Sequence, residues 1–322
     1  MNFTIRGLIK VGVMMAACNA AVAQQTVEFN TLNSQDGYNA LAKGRAQYTD
    51  KINGVFTRPR GVIGNVPVMV IMHSSAGNSQ GGTGVWADFF LERGVATFVV
   101  DSFTPRGIKE SSTDQGVLSE AGTTVDALMA LQALSTMPGV DPKRIGVIGF
   151  SRGGIAAVHT SFSTLLAKVF GPNSDLKFAL NIAFYPTCTR FGQSNGQPLL
   201  MLMGDRDDNH PMFLCNSFVD KMREKGANLK FVVYPGATHG FDIDRKPYYA
   251  AKAQSWKTCT KDRKEDLDTL TFTIDGEVVT AKQYVEYSQS CRTSGINVGP
   301  DRFGASDSRK QVEQFVRKNF AM

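Results

Sequence analysis

A serine between glycines is the feature of this sequence that most directly suggests chemistry. Residues 149–153 read Gly-Phe-Ser-Arg-Gly, which places Ser151 at the centre of a G-x-S-x-G pentapeptide. In that motif a tight turn between a strand and a helix exposes the serine hydroxyl as a nucleophile. The pentapeptide alone is weak evidence, but an apolar segment at 145–148 precedes it and a helical pattern follows. We therefore predict that Ser151 is a nucleophile. The alternative is a serine in an ordinary glycine-rich turn.

Activation of a serine requires a base, and the sequence contains four histidines. His239 is the candidate because it lies in a loop directly after the last apolar strand pattern. It also follows Ser151 along the chain, in the order serine, acid, histidine. The alternative is a histidine in an ordinary surface loop.

An acid must hold the imidazole in the correct tautomer. This acid should follow the strand pattern at 199–203, and the next segment contains Asp205, Asp207 and Asp208. Spacing alone does not choose among the three carboxylates. The same carboxylates with His210 could instead bind a metal, but the glycine and distant glutamate of a calcium-binding loop are absent at the required offsets.

The negative charge that forms on the substrate oxygen needs N–H donors that are fixed in advance. One donor is expected from the backbone of Arg152, directly after the serine. The second is expected from the loop at 73–77, after the first central strand. A plain turn is the alternative for that loop.

Short apolar segments that alternate with helical patterns indicate the fold that would position these groups. Helical spacing of apolar residues occurs at 124–137, 153–168 and 212–225. The strand candidates are apolar on both faces, as in a parallel sheet covered on two sides, and they lie at 66–72, 95–100, 144–149, 178–184, 199–203 and 230–234. The alternation predicts a doubly wound, mostly parallel α/β sheet with helices on both faces.

Residues 255–305 break this alternation and predict an excursion from the sheet before a closing helix at 310–320. Within it, Asp275-Gly276 separates two β-branched segments, 270–274 and 277–280, which is a strong hairpin signal.

The amino terminus has the pattern of a secretory signal. Arg6 and Lys10 precede an apolar run at 11–17, and Ala21-x-Ala23 is the small-residue pattern of a cleavage site. The run is shorter than the roughly 20 apolar residues that a membrane span needs. We predict a signal peptide at 1–23 and one exported domain at 24–322, in the periplasm or secreted. A lipoprotein anchor at Cys18 and a buried amino-terminal helix are the alternatives.

Export also bears on the cysteines, because an even number in an exported chain favours disulfides. The sequence-local pairing, Cys188 with Cys215 and Cys259 with Cys291, brackets two compact segments. Four reduced cysteines or a metal site with four thiolates are the alternatives, although no closely spaced Cys-x-x-Cys pair is present.

Composition excludes several other classes of protein. The 322 residues are 42% hydrophobic and 20% charged, which fits a globular chain and not a disordered, collagen-like or coiled-coil one. The net charge of +6 comes without a Lys/Arg cluster of the nucleic-acid-binding type. We expect no nucleic-acid partner, no membrane span, no metal and no other cofactor.

Four segments resemble the dienelactone hydrolase family of the α/β-hydrolase superfamily over about residues 50–250, namely 68–77, 101–107, 144–154, and 198–211 with 235–241. The family's acid motif is Gly-x-x-Asp with a proline four residues further on, so Gly204 and Pro211 assign the acid to Asp207. The resemblance likewise assigns the second oxyanion donor to Ser75. The namesake enzymes use a cysteine nucleophile where this chain has Ser151, and their His-Gly in the oxyanion loop is His73-Ser74 here. The first departure favours a general esterase.

The resemblance and the motifs together predict hydrolysis of a small carboxylic ester or lactone through an acyl-enzyme. Arg106, together with Arg152, could hold a substrate carboxylate bidentately, and a structural salt bridge is the alternative for Arg106. Two other functions compete: a serine peptidase on the same fold, and a non-catalytic binding protein on a hydrolase scaffold. The presence of all three residues, Ser151, His239 and Asp207, argues against the binding protein.

Overall fold

The computed structural model describes residues 24–78 and 82–322. The predicted signal peptide at 1–23 and the alternative anchor at Cys18 lie outside the described residues. Within these two ranges, no helix has the length and apolar character needed to cross a membrane.

Strands and helices alternate along most of the described chain. The strands are β1 (Gln24–Thr31), β2 (Asp50–Thr57), β3 (Val66–Met72), β4 (Ala96–Asp101), β5 (Val140–Phe150), β6 (Leu180–Phe184), β7 (Arg190–Phe191), β8 (Leu199–Gly204), β9 (Leu229–Tyr234), β10 (Tyr248–Ser255), β11 (Arg263–Asp266), β12 (Thr271–Ile274), β13 (Glu277–Val279) and β14 (Thr293–Val298). The helices are α1 (Tyr38–Ala42), α2 (Thr83–Leu91), α3 (Glu120–Ser135), α4 (Arg152–His159), α5 (Ser163–Phe170), α6 (Met212–Glu224), α7 (Ala281–Ser290) and α8 (Arg302–Phe320).

Eight strands form the main sheet, in the order β1-β2-β4-β3-β5-β6-β8-β9. From β4 to β9 all neighbours are parallel, whereas β1 and β2 form an antiparallel edge. Helices cover both faces, so every residue of β3, β6 and β8 is buried. Each large aliphatic side chain buried in this way contributes roughly 1.5–3 kcal/mol to folding. The predicted doubly wound, mostly parallel sheet is confirmed.

The two antiparallel strands β1 and β2 were not predicted from the sequence. Exposed and half-buried positions alternate along β1, and β2 is covered on one face only. Because β1 and β2 are not buried on both faces, they lack the continuous apolar run that marks a central strand.

Several helix boundaries differ from the predicted ones for identifiable reasons. α3 begins at Glu120, four residues early, because the Ser119 side chain caps it by accepting the Gly122 N–H at 2.8 Å. The predicted helix at 153–168 is two helices, α4 and α5. Between them the Ser161 carbonyl accepts the Asn195 N–H at 2.8 Å, a tertiary bond that replaces the continuing helical pattern.

The excursion at 255–305 is a small structured unit beside the sheet edge. β10 pairs with β14, and β11, β12 and β13 form a second sheet with β7. Asp275 and Gly276 join β12 to β13 with φ of 52° and 83°, which confirms the predicted hairpin turn. The disulfide between Cys259 and Cys291 ties the start of the excursion to the end of α7. That the chain from 24 to 322 folds as one domain stays a prediction.

Candidate active site

Ser151 occupies a tight turn between the central strand β5 and helix α4. Its backbone has φ 52° and ψ −111°, a strained conformation for a residue with a side chain. The neighbouring glycines make the turn possible. A Cβ on Gly149 would lie 1.9 Å from the Gly153 carbonyl oxygen, and a Cβ on Gly153 would lie 2.2 Å from that of Met72. The predicted strand–turn–helix geometry around the serine is therefore present.

His239 and Asp207 lie at the carboxyl ends of the two strands beyond β6. His239 follows β9, and its Nδ1 is 2.7 Å from Oδ2 of Asp207, which follows β8. The other oxygen of Asp207 accepts the Asn209 N–H at 2.9 Å, which holds the carboxylate in place. Burial acts to lower the pKa of His239, but the Asp207 carboxylate, with smaller contributions from Asp208 and Asp242, holds that pKa above its ordinary value.

Ser151 and His239 line the same cavity. In the described part of the chain no hydrogen bond joins the serine hydroxyl to the imidazole. Such a bond often tightens only when substrate is bound. The structure thus brings serine, histidine and acid to one edge of the sheet, with the histidine–acid contact already formed.

Sequence reasoning missed Tyr185, which packs against the imidazole, and the buried Asp242, which accepts a hydrogen bond from the Tyr185 hydroxyl. The Tyr185 ring lies 4.6 Å from the His239 ring, centroid to centroid, and its hydroxyl donates to Asp242 Oδ1 at 2.8 Å. Trp86 donates to the other oxygen of Asp242, also at 2.8 Å. Burial raises the pKa of Asp242. Tyr185 directly follows β6, and a polar residue at that sheet edge was the available signal.

The residues expected to supply the oxyanion donors, Ser75 and Arg152, line one cavity together with Ser151. Ser75 follows β3 and Arg152 is the first residue of α4. Within the described residues the backbone N–H of neither one is used in a hydrogen bond. The Ser75 side chain bonds Gln115, and the Arg152 guanidinium donates to the Gln115 side chain at 2.7 Å and to the Leu118 carbonyl at 2.7 Å. Gln115 therefore ties together the two segments that carry the free N–H groups.

Two cavities meet at Ser151. The first, of about 340 Å³, includes His239 in its wall, and we call it the His239 cavity. The second, of about 390 Å³, includes Arg263, and we call it the Arg263 cavity. Ser75, Gln115, Ser151 and Asn209 belong to both walls. Each cavity has a size suited to part of a small molecule.

Arg106 does not line either cavity, and its assignment to substrate binding is corrected here. Its Nε donates to Asp50 at 2.6 Å, and its two terminal nitrogens donate to the two oxygens of Asp126 at 2.8 and 2.9 Å. The Ser102 and Leu32 carbonyls take further N–H groups. With its donors occupied and its side chain buried, Arg106 forms the structural salt bridge that was the alternative.

The side chains of the polar segment after β8, residues 205–210, contact different partners. Asp205 accepts the Gly236 N–H, Asp208 accepts from Asn297, and the His210 ring stacks on Trp256. Among the residues that the structure describes, no group of three or more acidic, cysteine or histidine side chains is arranged to hold a metal. Of the three carboxylates, Asp207 is the one that contacts the imidazole.

Both predicted disulfides are confirmed. Cys188 bonds Cys215, linking the segment after β6 to helix α6, and Cys259 bonds Cys291 in the excursion. The first bridge closes the chain around the segment that carries Asp207, and the second holds together the wall of the Arg263 cavity.

A parallel sheet covered on two faces, with a serine on a strained turn after its central strand, defines an α/β-hydrolase fold. Residues 52–262 match the model of the dienelactone hydrolase family, and the chain belongs to that family.

Individual relatives are more distant. A candidate carboxymethylenebutenolidase from Synechocystis sp. is 27% identical over 154 residues, which span 48% of this chain and 62% of that protein. The chain therefore matches somewhat less than two thirds of the length of this curated relative.

Solved structures with similarity include a candidate dienelactone hydrolase from Klebsiella pneumoniae, with TM-score 0.47 and 16% identity over 68% of this chain and 89% of that one. A thermophilic esterase from Thermogutta terrifontis has TM-score 0.44 and 18% identity over 59% of this chain and 79% of that one.

Proposed function

We propose that this protein is a serine hydrolase that cleaves a carboxylic ester or lactone through an acyl-enzyme. The observation that carries the proposal is the strained Ser151 turn on the same cavity wall as an imidazole held by a buried carboxylate. The family membership supports a hydrolase of esters or lactones, and the relative from Synechocystis sp. bears the name of a lactone hydrolase.

In the proposed first half-reaction, His239 Nε2 takes the hydroxyl proton as Ser151 Oγ attacks the carbonyl carbon. Asp207 keeps the other proton of the imidazole on Nδ1, so that Nε2 remains the acceptor, and it stabilises the imidazolium that forms. His239 then gives its proton to the leaving oxygen, and the acyl group stays on Ser151. Water attacks the acyl-enzyme by the same route.

The oxyanion formed in each step is assigned to the N–H groups of Ser75 and Arg152. Their freedom from other hydrogen bonds within the described residues, and their support by Gln115, favour this role. Each such donor is worth about 3–4 kcal/mol of transition-state stabilisation. Nothing in this mechanism requires a group other than those of the chain and water.

Turnover of short p-nitrophenyl esters by the disulfide-bonded protein tests the proposal. Ester hydrolysis that falls on the order of 10⁵-fold in Ser151→Ala supports it. Cleavage of peptide anilides in preference to esters would instead indicate a peptidase. Failure of a fluorophosphonate to label Ser151, with no turnover of either substrate, would indicate a binding protein. We also propose an exported location, because two disulfides persist in oxidising compartments.

A further inference from the structure

The Arg263 cavity contains a buried cation that has no partner within the described residues. Arg263 is 6% exposed, its Nε makes no hydrogen bond, and its guanidinium forms no ion pair. Its contacts are with two aromatic rings, those of Trp256 and Tyr284, each 5.9 Å from the guanidinium carbon. A buried guanidinium without an acceptor is unfavourable for folding, so its retention points to a ligand.

The other charged side chains of this cavity already have partners for their polar atoms. Glu120 is paired with Arg190 at 2.5 Å. Burial opposes the ionisation of Glu120, but Arg190 and the other nearby basic groups together lower its pKa to about 2. Arg190 is also paired with Glu265 at 2.5 Å. The Arg152 donors are taken by neutral oxygens. Arg263 therefore remains as the cation with free donors.

Neutral groups around Arg263 add to an environment suited to an anion. The Tyr284 hydroxyl lies in the same wall and is likewise buried without a hydrogen-bond partner. Burial lowers the pKa of His210 well below its ordinary value, so this wall residue is an uncharged imidazole. A carboxylate could accept from the guanidinium and from the tyrosine hydroxyl at once.

The position of His239 determines which part of an ester would enter this cavity. The leaving oxygen must receive its proton from His239, which lines the His239 cavity but not the Arg263 cavity. The leaving alcohol or phenol therefore lies in the His239 cavity. The acyl part, bonded to Ser151, therefore lies in the Arg263 cavity, which the serine also lines.

We propose that Arg263 and Tyr284 bind a carboxylate at the far end of the acyl group, which makes this protein selective for half-esters of dicarboxylic acids. Arg263 and Tyr284 lie beyond residue 262, where the family match ends, and belong to the chain's own excursion. The selectivity rests on the proposed hydrolase function, whereas the carboxylate site can be measured without turnover.

The test compares esters that differ only in the terminal group of the acyl chain. The p-nitrophenyl half-esters of adipic and suberic acid are matched by p-nitrophenyl hexanoate and octanoate. The wild-type protein should favour the half-esters, and Arg263→Gln should lower their kcat/KM about 10- to 100-fold while leaving the neutral esters within about twofold. Arg263→Lys should restore part of the loss, and Arg292→Gln, which changes an exposed arginine of the same excursion, should behave as wild type.

The melting temperature of Arg263→Gln separates ligand binding from a structural role. Under the proposal, removing an unpaired buried charge should leave the melting temperature unchanged or higher. A lower melting temperature together with an equal loss on charged and neutral esters would overturn the proposal. So would unchanged selectivity in Arg263→Gln.

Binding separates this proposal from the proposed function. Monomethyl adipate is titrated calorimetrically into Ser151→Ala, with and without Arg263→Gln. If binding depends on Arg263 but the wild-type protein hydrolyses no ester, the carboxylate site is retained and the hydrolase function is rejected. If no Arg263-dependent binding is found but the wild-type protein hydrolyses neutral esters, the carboxylate site is rejected and the hydrolase function is retained.

Discussion

Replacing Asp207 with asparagine tests the proposed relay at the point where the structure is most specific. Asp207 Oδ2 lies 2.7 Å from His239 Nδ1, so the carboxylate can only accept a hydrogen bond from the N–H at that nitrogen. An asparagine amide can donate to Nδ1 instead, which would leave the proton on Nε2, where the serine proton has to be accepted. The substitution is nearly isosteric, so the change should affect the tautomer more than the fold.

The expected loss is about 10⁴-fold in kcat, which corresponds to about 5.4 kcal/mol of transition-state stabilisation. The assay is hydrolysis of p-nitrophenyl acetate at saturating substrate. Asp205→Asn is the matched control, because it makes the same change two residues away on an exposed side chain that contacts the Gly236 N–H. The control should retain activity within about twofold.

The reasoning would be refuted if Asp207→Asn kept most of the wild-type activity. It would also be refuted if Asp205→Asn or Asp208→Asn lost as much as Asp207→Asn. Either result would mean that the histidine–acid contact seen here does not act in the reaction.

Three further predictions follow from the same structure. The pKa of His239 is raised and only the neutral imidazole can accept a proton, so kcat/KM should fall as the pH drops through a value above 6.5, the ordinary histidine pKa. In Asp207→Asn the acid limb of this profile should move to lower pH, and a limb that does not move would contradict the assigned cause. Gly153→Ala should lower the free energy of unfolding, measured in urea, by about 3 kcal/mol, because its Cβ would meet the Met72 carbonyl oxygen at 2.2 Å. Gly84→Ala in α2, whose Cβ meets nothing within 4 Å, should raise the free energy of unfolding by roughly 0.5–1 kcal/mol, and equal effects of the two substitutions would reject the steric argument. Joint replacement of Cys259 and Cys291 by alanine should lower the free energy of unfolding by about 3–4 kcal/mol, given the sequence separation of 32, and an unchanged denaturation midpoint would show that the bridge does not stabilise the fold.

The central sheet and the serine turn could be predicted because their signals are local. The strands β3, β6 and β8 are buried over their whole length and so appear in the sequence as unbroken apolar segments. The glycines around Ser151 are required by close contacts within the turn and with the neighbouring strands β3 and β6, but they stand within a few positions of the serine and so form a local pattern. A pattern of residue types a few positions apart is enough to record both.

Charge pairing shows the opposite case. Arg106 had the residue type of a substrate-binding group, but Asp50 and Asp126, which are 56 and 20 residues away along the chain, occupy its guanidinium. Arg263 carried no signal as a functional residue, yet it is left unpaired in a cavity that Ser151 also lines. Whether an arginine is neutralised depends on which distant carboxylates the fold brings to it.

The amino-acid sequence by itself indicated the sheet and the nucleophile turn, because apolar runs and glycine spacing are patterns of residues close together in the chain. It also favoured the sequence-local cysteine pairs, which the structure contains. Among the three carboxylates that the residues left open, the resemblance had pointed to Asp207. Tertiary structure decided that this carboxylate meets the imidazole, that Arg106 is structural, and that two cavities join at Ser151. These outcomes depend on distances between strand ends and on the excursion, and such distances are set only when the whole chain packs.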